Sequence, residues 1–145
     1  MAGVSYDGAL ENWRGREWRE AFAAKVRPRL SAAENALIES ENRYQAMQDD
    51  TVLPQGVIHG DYFHDNVLWD HGHGGVIDFY FACDDVLLYD VAIGVNDWCA
   101  RRDATIDPAR MRAFLAGYET LRPLEEQERE LWPVMLRRAA LHHRP

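Results

Sequence analysis

The run His59-Gly60-Asp61-Tyr62-Phe63-His64-Asp65-Asn66, followed twelve residues later by Asp78 within Val76-Ile77-Asp78-Phe79, holds the side chains best suited to chemistry. Asp61 and Asn66 stand five residues apart, near the two ends of one polar loop. Asn66 and Asp78 offer an amide oxygen and a carboxylate. These are hard oxygen donors of the kind Mg²⁺ accepts while it keeps waters and draws its remaining ligands from phosphates. Asp61 is then left to accept a proton from, or orient, a substrate hydroxyl, which is the division of labour that phosphoryl transfer requires. His59 precedes Asp61 by two residues and reads as a positioning group, its ring hydrogen-bonding the loop backbone. Taken singly, an aspartate or asparagine beside a strand is most often a turn residue, so the reading rests on the combination and its spacing.

The elements that must position these groups follow from hydrophobic spacing and breakers. Trp18, Phe22, Val26, Leu30, Ala33, Leu37, Glu41 and Tyr44 recur at helical spacing, with Pro28 kinking the run or dividing it into two helices. Gln48 to Thr51 reads as a linker. Gly56 to Ile58 is a short apolar strand, the reactive loop follows, and Val67 to Trp69 is a second strand. Asp70 to Gly75 forms a glycine-rich turn, and Gly75 to Phe79 returns as its hairpin partner, so that Asp78 ends a strand beside Asn66. Helix is expected from about Leu87 to Trp98. It resumes from Asp107-Pro108, where a capping carboxylate precedes proline at the first helical position, to about Leu121. A last helix spans about Leu124 to Leu141, with Pro133 inside it. The expected class is α+β, a mostly helical domain holding a small hairpin that carries the catalytic and metal loops.

The chain has 145 residues, enough for one domain, and is 47% hydrophobic and 28% charged, as ordinary globular chains are. Sixteen basic against twenty-four acidic residues give a formal charge of −8, which argues against nonspecific nucleic-acid binding and against anionic membranes. No apolar run reaches membrane-spanning length. Two cysteines, Cys83 and Cys99, with no CxxC pair fit a reducing compartment, and a cytoplasmic location is expected.

His59-Gly60-Asp61 through Asn66, together with Ile77-Asp78-Phe79, resembles the signature of the aminoglycoside phosphotransferase and choline kinase superfamily, relatives of protein kinases. GVIHGDYFHDNVLW and GVIDFYFACDDVLLYDVAIGVNDWC resemble homoserine kinases of the kinase-like type more specifically. The resemblance covers nearly the whole chain. It implies transfer of the γ-phosphoryl group of ATP to the hydroxyl of L-homoserine, a step of threonine biosynthesis. Asp61 would be the catalytic aspartate, and Asn66 and Asp78 would hold Mg²⁺ with its nucleotide. Asp90 matches the acidic residue that supports the C-terminal lobe, although a helix-start carboxylate is an equally physical reading. His64, Asp65, Tyr80, Asp84 and Asn96 are polar candidates for the amino-acid pocket.

The superfamily also has an N-terminal lobe, which supplies a strand-borne lysine and a loop over the ATP phosphates. Neither is found here. Gly72 to Gly75 lacks the lysine and Ser/Thr of a phosphate loop, and Lys25, the sole lysine, lies in a helical stretch. Residues 1–145 therefore read as a C-terminal lobe without its nucleotide-clamping partner, a partial enzyme expected to be weak or inactive alone. Apolar surface at the docking face would favour a homodimer or association with a separate N-terminal lobe. Three alternatives stand beside this: another small-molecule kinase acting on an aminoglycoside, choline or a sugar; a non-catalytic binding lobe; and a Zn²⁺ or Mn²⁺ site. The last would be built from His59, His64, His71 and His73 with Asp61, Asp65, Asp70 and Asp78.

Overall fold

A computed structural model describes residues 9–12 and 14–141. The architecture is α+β, as expected, with helices predominating among the described residues. Pro28 divides the first helical stretch: α1 (Arg16–Val26) ends in a 3-10 turn (Arg27–Arg29), and α2 (Ala32–Ala46) starts afresh. A capping box opens α2, the Ser31 N–H donating to Glu34 Oε2 (2.7 Å) and Glu34 N–H to Ser31 Oγ (3.3 Å). The stripe read from the sequence is only partly buried here. Phe22 and Leu37 are exposed, and Trp18 and Phe22 stack on each other, because no element among the described residues covers these positions. Glu41 is buried in their place, its carboxylate accepting from Arg137 Nε (2.9 Å).

The expected single small sheet is instead two separate antiparallel pairs. Strand β1 (Gln55–Ile58) pairs with β4 (Cys83–Val86), a strand absent from the sequence reading, with Ile58 opposite Cys83. The hairpin is β2 (Val67–Asp70) with β3 (His73–Val76), in register Val67 to Val76 and Asp70 to His73. Its turn is only His71-Gly72, both at positive φ (46° and 83°), the twist that joins tight hairpins. The returning strand thus stops at Val76 rather than Phe79. Asp78 leaves it in the left-handed region (φ 61°, ψ 63°) and begins a 3-10 turn (Phe79–Phe81).

The core lies between α3 (Leu87–Trp98) and α5 (Glu126–Ala140), sealed by the β1–β4 pair. Leu88, Ala92 and Ile93 of α3 meet Val134, Met135 and Ala139 of α5. Pro133 is accommodated inside α5. Helix α4 (Pro108–Glu119) is capped as expected, Asp107 Oδ1 accepting from the Ala109 (2.8 Å) and Arg110 (3.1 Å) N–H groups. Both cysteines are free and buried, and burial pushes the Cys83 thiol up to about 12.

These burial differences set measurable stabilities. Leu88→Ala, at a fully enclosed position, should cost about 2–5 kcal/mol in chemical denaturation, the range for deleting a core leucine. Phe22→Ala on the exposed arm should cost less than about 1 kcal/mol. Cys83 should resist thiol reagents at pH 8 until the protein unfolds, as timed labelling would show.

Candidate active site

Asp61 begins a loop that is held from beneath by one face of α3. Asp90, Gly94 and Asp97 recur at four- and three-residue spacing and so share that face. The Asp90 carboxylate accepts two backbone N–H groups at the loop entrance, from His59 (2.8 Å to Oδ2) and Gly60 (2.9 Å to Oδ1). Two turns on, Asp97 Oδ2 accepts the backbone N–H of His64 (2.6 Å) and its ring Nδ1–H (2.7 Å). Between them Gly94 leaves room for Tyr62, since a Cβ there would lie 3.1 Å from the Tyr62 ring and 2.7 Å from Phe114. Helix α3 is thus a rigid ruler against which both ends of the loop are set.

His59 is fully buried and holds the loop to the hairpin. Its Nδ1 accepts the Asp61 N–H (3.3 Å), which places the ring proton on Nε2, and Nε2–H donates to the Ile77 carbonyl (2.8 Å). The ring packs edge-on against Phe79 at 4.9 Å. Gly60 sits at φ +72°, and a Cβ there would come within 2.5 Å of the Phe81 carbonyl, so loop and 3-10 turn meet in a space only glycine permits.

Asn66 donates through Nδ2 to the Asp61 carbonyl (2.8 Å) and to Asp61 Oδ2 (3.0 Å). With its nitrogen committed to Asp61, its oxygen is the atom left to offer a cation. Asp78 is brought to the same end of the hairpin, because Ile77 N–H donates to the Asn66 carbonyl (3.0 Å). Asp78 itself is exposed. Its position beyond the strand, in left-handed backbone, corrects the expectation that it terminates the strand. Arg14, which sequence reasoning missed, reaches Asp61 from the N-terminal segment, with Nη1 3.6 Å from Asp61 Oδ1.

The other candidates scatter. His64 points to Asp97, and Asp65 lies exposed beside it. Tyr80 is exposed on the 3-10 turn. Asp84 is held in β4 by exchange with Leu10, its Oδ2 accepting the Leu10 N–H at 2.9 Å. Asn96 turns away from the loop and donates to the Leu136 carbonyl (2.9 Å), tying α3 to α5. Its neighbour Asp97 is the residue facing the loop, and the seven-residue spacing from Asp90 was the signal that marks it. Among the described residues no three His, Cys, Asp or Glu side chains gather as a metal cluster, so the Zn²⁺ or Mn²⁺ reading has no site there. His71 instead pairs with Asp70 at the exposed hairpin tip. A cavity of about 190 Å³, lined by His59, Tyr62, Asp90 and Phe114 among others, lies behind the loop and includes neither Asp61 nor Asn66.

The chain matches the phosphotransferase enzyme family over residues 2–124. It belongs to that family. It is similar to homoserine kinase of Methylobacillus flagellatus, 50% identical over 142 residues covering 97% of this chain and 44% of the relative. Homoserine kinases of Pseudomonas aeruginosa (44% identical over 131 residues, 88% of this chain and 42% of the relative) and Polaromonas naphthalenivorans (40% over 146 residues, 97% and 46%) are similar too. The chain spans less than half the length of these curated relatives. No helix among the described residues is long and apolar enough to cross a membrane.

Within this candidate site, Asp90 is supporting structure rather than a cap of its own helix. Burial raises its carboxyl above the ordinary value, against the pull of the two N–H donors. The folded protein therefore holds the Asp90 proton more tightly than the unfolded chain. Its contribution to stability falls as pH rises from the ordinary 3.8 through the higher value in the fold. Asp90→Asn removes the titration and leaves one acceptor for two N–H groups, costing about 1–3 kcal/mol. The stability gap between the two proteins should be largest at the acid end of that window and shrink toward neutral pH. Denaturation curves across pH check this, and a gap widening with pH would refute it.

Proposed function

We propose that this chain is the C-terminal, metal- and base-bearing lobe of an ATP-dependent kinase whose acceptor is the hydroxyl of L-homoserine. The observation that carries this reading is the arrangement around Asp61. Its carboxylate is fully buried and oriented by the Asn66 amide nitrogen, which leaves the amide oxygen without a part in that contact. Asp61 accepts the proton of the attacking hydroxyl. His59 and Asp90 hold the loop that carries it and take no part in proton transfer.

Asn66 and Asp78 fit Mg²⁺: one amide oxygen and one carboxylate leave most ligand positions to water and phosphate, which is how Mg²⁺ is usually bound at nucleotide sites. When bound, the ion would neutralise charge on the β- and γ-phosphates. The chain holds no strand-borne lysine for those phosphates. We therefore assign nucleotide clamping to an N-terminal lobe, in keeping with the greater length of the relatives. Leu68, Trp69, Ile77, Phe79 and Tyr80 are exposed apolar residues on the hairpin and the turn beside it. We place the docking of that lobe there; a second copy of this chain is the competing occupant. The buried free thiols suit a cytoplasmic setting. The acceptor pocket for an amino acid draws on His64, Asp65 and Tyr80, which lie nearer the loop than Asp84 or Asn96.

The purified chain alone should phosphorylate L-homoserine at well under ~1 s⁻¹, the low end for kinases. A rate at or above that would show that no second lobe is needed. Joined to the N-terminal lobe of a homoserine kinase relative, it should phosphorylate L-homoserine in preference to choline, an aminoglycoside or a sugar. In that protein Asp61→Asn should lower kcat by about 10²–10⁴, the usual share of a general base. Asn66→Ala and Asp78→Ala should raise the Mg²⁺ concentration needed for half-maximal rate.

A further inference from the structure

We propose that Arg14 is a catalytic residue of the phosphoryl transfer, its guanidinium binding the equatorial oxygens of the group in flight. The inference rests on the kinase reading above and adds to it a group that no motif contains. Arg14 is the salt-bridge partner of Asp61 among the described residues, with Nη1 3.6 Å from Oδ1. Its side chain is 22% exposed where that of Asp61 is 1%. Arg14 is therefore the more accessible member of the pair and Asp61 the enclosed one.

The guanidinium is fixed by its faces. Its carbon lies 3.3 Å from the Phe81 ring centroid and 5.6 Å from that of Trp18. Stacking of this kind fixes the plane of the guanidinium, whose N–H edge has the geometry that matches phosphate oxygens. Phe81 belongs to the 3-10 turn that Asp78 begins, and its carbonyl abuts Gly60, the residue before Asp61. The guanidinium is thus locked to both the metal-bearing turn and the base-bearing loop. At 3.6 Å the contact with Asp61 is too long for a hydrogen bond, so it is an ion pair that a nearer anionic oxygen can outcompete.

An attacking hydroxyl bonded to Asp61 would stand about 2.7 Å from its carboxylate. The oxygens of the group it attacks then fall within reach of an arginine already beside that carboxylate. In the step, the hydroxyl proton passes to Asp61 and the acceptor oxygen bonds to the γ-phosphorus. The bond from that phosphorus to the β,γ-bridging oxygen breaks, its electron pair leaving with ADP. Arg14 neither gains nor loses a proton and bears only on the charge of the transferring oxygens. Without it, Asp61, Asp78 and the triphosphate would bring several negative charges together with only the metal to offset them.

The test uses the two-lobed protein, this chain joined to the N-terminal lobe of a homoserine kinase relative, with the residues of this chain labelled with ¹⁵N, following the Arg14 Nε–H resonance (assigned by its loss in Arg14→Lys) and the Asn66 side-chain amide. The probes are Mg·ADP, Mg·ATP, Mg·ADP with aluminium fluoride as a mimic of the transferring group, and L-homoserine alone. Arg14 should shift with Mg·ATP and with the fluoride complex but not with Mg·ADP. Arg14→Met should lower the preference for Mg·ATP over Mg·ADP about tenfold, in keeping with one charge-assisted hydrogen bond, and Arg14→Lys should retain part of it. If Asn66 responds to nucleotide while Arg14 does not, the role of Arg14 is overturned and the kinase reading stands. If neither responds to any nucleotide, both fall. A shift of Arg14 with L-homoserine alone, and none with nucleotide, overturns the phosphoryl role and assigns the arginine to the acceptor carboxylate. An unchanged Asn66 amide in the free variants shows that the loop remains folded.

Discussion

The two hydrogen bonds from the His59 and Gly60 N–H groups to the Asp90 carboxylate are the constraint on which the site depends. A catalytic loop is irregular backbone, and irregular backbone in a buried place needs partners for its N–H groups. A neutral acceptor would satisfy one of them. A carboxylate satisfies two at once, and its burial on a core helix leaves it little freedom to move. Asp97, two turns along the same face, does the same at the far end of the loop. The result is that loop geometry is set by α3, and α3 is set by its packing against α5.

That dependence explains how polar chemistry sits beside an apolar core. His59 is buried as a neutral ring with both nitrogens engaged, so it joins loop to hairpin without carrying a charge inside. Asp61 is buried with Asn66 and Arg14 around it, and the Asn66 nitrogen is committed to its carboxylate. The −8 formal charge is therefore not a diffuse property alone. Part of it is spent on Asp61, Asp78, Asp90 and Asp97, two at the candidate site and two holding the loop in place.

Much of this was legible because it is local. Pro28, the Asp107-Pro108 cap and the period of α3 place their elements within a residue or two, since capping and breaking act over a single turn. The hairpin was visible from its glycines, although its strands run closer to the tip than turn composition suggested, because a two-residue turn at positive φ suffices. Strand β4 was not visible: Cys83-Asp84-Asp85-Val86 has no alternating apolar pattern of its own and is a strand only because β1 lies beside it. The stripe on α1 and α2 was over-read for the converse reason. Helical spacing marks an apolar face, and only a neighbouring element buries it.

By itself, the sequence determined which residues could do chemistry. Asp61, Asn66 and Asp78 are recognisable by type and spacing, and the family signature they form carries that information in a short stretch. Tertiary structure decided what surrounds them. Asp90 became a loop support rather than a helix cap, Asn96 turned to α5 while Asp97 turned to the loop, and Arg14 arrived from a segment 47 positions before the base it faces. A side chain's type travels with its position in the chain. Its partner is chosen by packing, which brings together residues whose separation along the chain says nothing about their distance in space.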